Sequence, residues 1–68
     1  MGMREPFGER LRKIRIEKGM PQWKLAEKIG IPQTLVSRYE KGTHIPTLTT
    51  FEWICDALGV TATELLGF

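Results

Sequence analysis

Two short stretches with helical apolar spacing, residues 22–29 and 32–41, are separated by only Gly30 and Ile31. A break this short leaves no room for a strand or a crossover, so two helices must turn one corner against each other. Leu25, Ala26 and Ile29 form the buried face of the first, and Leu35, Val36 and Tyr39 that of the second, with Glu40 at its edge. Glycine at the break permits the left-handed backbone that closes a helix. Pro21 and Pro32 suit first-turn positions, because the amide that proline lacks has no partner there. The second helix is therefore expected over 32–41, stopping before Gly42.

The rest of the chain is consistent with helices around that corner. Phe7, Leu11, Ile14 and the aliphatic stem of Lys18 follow helical spacing up to Gly19, with Ile16 out of phase and part-exposed. Leu48, Phe51, Ile54, Cys55 and Leu58 share one face of a fourth helix, which Thr47 caps and Gly59 ends. Thr61-Ala62-Thr63-Glu64 is a capping-box pattern opening a fifth helix to Leu66. No segment alternates as a strand does. The expected fold class is all-α: a compact five-helix bundle, one domain over residues 1–68 with its core in 7–66, whose second and third helices form a helix-turn-helix.

Sixty-eight residues support one thin core, so stability needs well-packed helices or a partner. No membrane span or signal-peptide pattern appears, and a cytoplasmic location is expected. Cys55 is the only cysteine and cannot form an internal disulfide. All ten Lys and Arg fall between Arg4 and Lys41, against five acids there, leaving +5. Residues 42–68 hold three acids and neither Lys nor Arg, giving −3. Such a split directs one half toward a polyanion.

Leu11-Arg12-x-x-Arg15, Gly19-Met20-x-Gln22-x-x-Leu25-Ala26, Gly30-Ile31 and Val36-Ser37-x-x-Glu40-x-Gly42 stand in order along the chain, followed by Pro46, Phe51, Ile54 and Ala57-Leu58-Gly59-Val60. Over residues 7–66 this resembles the XRE family of DNA-binding domains, to which the lambda-type repressors and Cro belong. The resemblance implies a lambda-repressor-like bundle and a transcriptional regulator of double-stranded DNA, acting as a repressor by occupying its operator. It departs from the family at Pro21 and Pro32, where Ser or Thr commonly caps the helix, and at Cys55, where alanine is usual.

At about 100° per residue, Gln33, Thr34, Ser37, Arg38 and Lys41 occupy the arc of the third helix opposite its apolar face. A helix fits the major groove, where glutamine pairs with adenine and arginine with guanine. The resemblance assigns base contact to Gln33, Thr34, Ser37 and Arg38. It assigns backbone contact to Gln22, which also braces the glutamine of the third helix; Lys41, a turn deeper, and Thr43 are expected to contact the backbone as well. It further pairs Arg15 with Glu40 as a structural ion pair between the first and third helices. Arg12, Lys24 and Lys28 are candidates for general attraction to phosphate, and Trp23 is expected to pack between helices.

A homodimer on a pseudo-palindromic operator is expected, since one recognition helix covers few base pairs. Its interface falls to Trp53, Ala62, Glu64 and Phe68, because the basic half would repel itself. Trp53 either makes that contact or lies under the Leu65–Phe68 tail. Another class stays open: an antitoxin or other protein-interaction module with a toxin as possible partner. No cofactor and no metal are expected. His44 has no companion at ligand spacing, and Cys55 lacks the neighbouring base that nucleophilic catalysis needs, so an enzyme is not expected.

Overall fold

The computed structural model describes residues 4–67 as five helices, and no strand occurs among them. They are α1 (Arg4–Glu17), α2 (Gln22–Ile29), α3 (Gln33–Lys41), α4 (Leu48–Leu58) and α5 (Ala62–Leu66). α3 packs on α1 and α2, α2 also meets α4, and α5 closes the bundle against α1 and α4. None of these helices is long and apolar enough to cross a membrane.

Leu11, Leu25, Val36, Ile54 and Leu65 are the fully buried centre, one from each helix. Phe7 and Phe51 add a tilted ring pair with centroids 5.9 Å apart, joining α1 to α4. Two cations tie helix ends across the bundle. The Arg10 guanidinium donates from Nε (3.2 Å) and Nη2 (2.6 Å) to the Glu64 carbonyl in α5, and Lys28 Nζ donates to the Ala57 carbonyl in α4 at 3.3 Å.

Several boundaries and faces differ from the sequence expectation. α1 begins at Arg4, three residues early; Pro6 then falls in its first turn, where the missing amide costs nothing. The helix stops at Glu17, so Lys18 lies past its end and is exposed rather than covering the core. Pro21 and Pro32 take the N-cap positions in extended conformation, one residue before the first helical turn, and α3 starts at Gln33. Fixed φ suits either position, but an N-cap also supplies its carbonyl: Pro21 accepts from Lys24 and Leu25, Pro32 from Leu35. Leu48 is 73% exposed instead of buried. It is the first residue of α4 and sits at the shoulder of the apolar arc, and no described residue covers it.

The turn between α2 and α3 has a simple construction. Gly30 adopts φ 76°, and its amide and that of Ile31 both donate to the Ala26 carbonyl at 2.8 and 3.0 Å. A side chain at that φ would be strained, which is why the corner takes glycine. The α1–α3 crossing also depends on a glycine. A Cβ on Gly8 would stand 2.5 Å from the Glu40 carbonyl oxygen and 2.7 Å from that of Tyr39. The two backbones approach that closely only because the side chain is absent.

Candidate nucleic-acid interface

α3 presents two different surfaces. Val36 and Tyr39 are buried and Leu35 half-buried against α1 and α2, and burial pushes the Tyr39 phenol above its ordinary pKa. On the opposite side Gln33, Thr34, Arg38 and Lys41 are exposed and Ser37 is half-buried. The side chains of these five make no hydrogen bond to any other described residue. A row of unsatisfied donors and acceptors on a helix pinned from behind suits contact with an edge-presenting polar ligand. The start of α3 adds to it. Pro32 offers no side-chain cap, so the first amides of the helix remain open beside Gln33.

Behind this surface, Arg15 Nε donates to Glu40 Oε2 at 2.6 Å and Arg15 Nη2 to Glu40 Oε1 at 3.1 Å, a two-pronged ion pair between α1 and α3. The side chains are 10% and 4% exposed. Arg15 Nη1 also donates to the Met20 carbonyl at 2.8 Å, so the guanidinium holds the α1–α2 connection as well.

Gln22, the first residue of α2, is half-buried and its Nε2 donates to Glu40 Oε1 at 3.0 Å. The brace to Gln33 expected from sequence is absent; Gln22 is tied to the far end of α3 instead. Thr43 carries a local duty: its hydroxyl and its amide both donate to the Arg38 carbonyl, at 3.2 and 3.0 Å, closing the end of α3. A phosphate oxygen would have to compete for that hydroxyl proton. Arg12 and Lys24 are exposed and unpaired among the described residues, whereas Lys28 is turned back onto α4.

The tryptophans differ from what the sequence suggested. Trp23 is 54% exposed and is not packed between helices; its place on the α2 flank, away from the Leu25–Ala26–Ile29 face, leaves it uncovered. Trp53 is 48% exposed and borders a shallow recess with Lys28, Ile29, Asp56 and Ala57. Leu65 is buried in the core and Gly67 lies against the Arg10 side chain, so the described part of the tail runs toward α1. Ala62 is exposed. Glu64 is exposed too, but its carboxylate accepts from the Thr61 amide and hydroxyl, both at 3.2 Å. Phe68 lies outside the described residues. Burial, with the nearby carboxylates of Asp56 and Glu52, pushes the Cys55 thiol up, away from the reactive thiolate.

Three features escaped sequence reasoning: Gly8, Arg10 and the Gln22–Glu40 bond. Gly8 carried a readable signal, because it lies seven residues before Arg15 and so shares its side of α1.

The helix-turn-helix family model matches residues 11–65. This chain is an XRE-type helix-turn-helix protein. It is 41% identical over 63 residues to the control protein C.BamHI of Bacillus amyloliquefaciens, covering 91% of this chain and 78% of that protein. It is 35% identical over 61 residues to the phage transcriptional repressor RstR of Vibrio cholerae, covering 90% of this chain but only 55% of the repressor. Among solved structures, the restriction-modification controller protein C.Esp1396I, a tetramer in complex with its natural 35-base-pair operator, superposes with a TM-score of 0.85 at 28% identity, covering 98% of this chain and 88% of that one. The XRE-type assignment makes the α2–Gly30–α3 corner the family's defining motif in this chain.

Proposed function

We propose that the chain is a sequence-specific, double-stranded DNA-binding transcription regulator that represses by occupying its operator. The observation that carries this reading is the outer face of α3: five polar or cationic side chains without partners among the described residues, on a helix anchored from behind. α3 enters the major groove. Gln33, Thr34, Ser37 and Arg38 meet base edges; Gln22, Lys41 and Thr43 meet the phosphate backbone. The relatives named above, a control protein and a repressor, support a regulatory role.

The chain acts as a homodimer on a pseudo-palindromic operator, with recognition helices about 34 Å apart. The exposed Trp53 face and the start of α5, with Ala62 and Glu64, are the interface; the half that contains them carries no Lys or Arg. Repression then follows from steric exclusion of polymerase.

Binding to duplexes of selected and random sequence, measured over a series of salt concentrations, tests the reading. Log affinity should fall steeply and linearly with log salt, and Lys41→Ala should reduce the slope by about one unit. A flat salt dependence, or equal affinity for selected and random duplexes, contradicts it.

A further inference from the structure

We propose that the Arg15–Glu40 pair is a positioning device for Gln22, fixing the amide at the head of α2 so that it can donate to a DNA phosphate. This rests on the DNA-binding reading above and adds a role for two side chains that are only 10% and 4% exposed.

The geometry is a closed unit. Glu40 Oε1 accepts from both Arg15 Nη2 (3.1 Å) and Gln22 Nε2 (3.0 Å), while Oε2 accepts from Arg15 Nε (2.6 Å). An ionised carboxylate only accepts, so the nitrogen side of the Gln22 amide must face it. That bond fixes the amide plane. One N–H is consumed; the second points away from Glu40 and remains a donor. Without Glu40, the half-buried Gln22 amide would be free to rotate between donor and acceptor orientations, and the acceptor orientation repels phosphate. The guanidinium also covers the Glu40 charge, letting a carboxylate sit behind a surface that meets a polyanion. Through Nη1 and the Met20 carbonyl, the same Arg15 holds the chain directly ahead of Pro21 and Gln22. One side chain thereby sets where α2 starts and which way its first side chain faces.

Simple charge counting and positioning give opposite expectations. Replacing Arg15 and Glu40 together by apolar residues, Arg15→Met with Glu40→Leu, leaves net charge unchanged and strands no buried charge, so the fold should survive. Attraction to phosphate in general is then preserved, and only the support of Gln22 is lost.

The test is a double-mutant cycle on a random-sequence duplex, because phosphate contact needs no particular site. Gln22→Ala in the wild-type background should weaken binding about fivefold to tenfold. The Arg15→Met/Glu40→Leu variant should weaken it by a similar factor, and adding Gln22→Ala to that variant should cost nothing more. Full additivity, or a folded Arg15→Met/Glu40→Leu variant that binds like wild type, overturns the proposal. Nitrogen relaxation of the Gln22 side-chain amide in free wild-type protein gives a second reading that needs no variant to fold. An amide as rigid as the backbone supports the device, and a freely mobile one refutes it. Wild-type protein that binds no duplex would instead sink the DNA-binding reading itself.

Discussion

α2 and α3 begin at prolines with no side chain on their first amides, whereas α4 and α5 begin at threonines that cap them. Thr47 Oγ1 accepts from the Thr50 amide at 3.2 Å, and Thr61 with Glu64 completes a reciprocal capping box. The contrast extends to what fixes each half. Within the basic half the network of Arg15, Glu40 and Gln22 spans long sequence separations, while the caps internal to the acidic half join residues three apart, and Arg10 and Lys28 tie the two halves together. Open amides and a distant ion network belong to the half that would meet phosphate. Satisfied amides and local caps belong to the half that would meet solvent or a second copy. One small fold thus uses long-range charge to set an angle on one side and local hydroxyls to end helices on the other.

The largest way to break that contrast is to remove one member of the ion pair. Arg15→Ala or Glu40→Ala should each lower stability by about 3–5 kcal/mol, because the remaining charge is left buried without an opposite charge. Replacing both with apolar residues should hurt less than either single change, as read by urea unfolding. Single variants that unfold like wild type would show that the basic half needs no network.

Gly8→Ala should come next. Helix propensity favours alanine, but the new Cβ would meet two backbone carbonyl oxygens that cannot yield. A net loss of about 1–3 kcal/mol is expected, again from unfolding. In the acidic half, Thr47→Ala and Thr61→Ala should each cost about 0.5–2 kcal/mol with the network untouched. The smallest effect sharpens the comparison from the other side. Pro32→Ser supplies a side-chain cap to α3 but frees the unfolded chain, so the two effects should offset to within about 0.5 kcal/mol of wild type.

Much of this architecture was legible in the sequence wherever a local rule governed. The bounds of α2 followed from its apolar spacing and Gly30, and the Thr61–Glu64 box from spacing alone. What depended on the angle between helices was not legible. Leu48 fits the apolar spacing of α4, yet spacing does not reveal that its first turn goes uncovered. Trp23 was misplaced for the same reason. The Arg15–Glu40 pairing was available through family resemblance, but the bond from Gln22 to the same carboxylate arises only once α2 and α3 are set at their observed angle. Arg10 could not be assigned to the Glu64 carbonyl, since a backbone acceptor leaves no residue-type signal.

The central claim is that the exposed face of α3 reads bases, and Gln33 tests it most directly. Its side chain stands exposed in the first turn of α3, and its outward face has no partner among the described residues. Affinities of wild-type and Gln33→Ala protein should be compared on the selected duplex and on duplexes changed one base pair at a time. The account predicts a loss of about 1–3 kcal/mol on the selected site, with preference relaxed at one A·T position and retained elsewhere. An equal loss on every duplex would contradict it, moving Gln33 from the bases to the phosphate backbone.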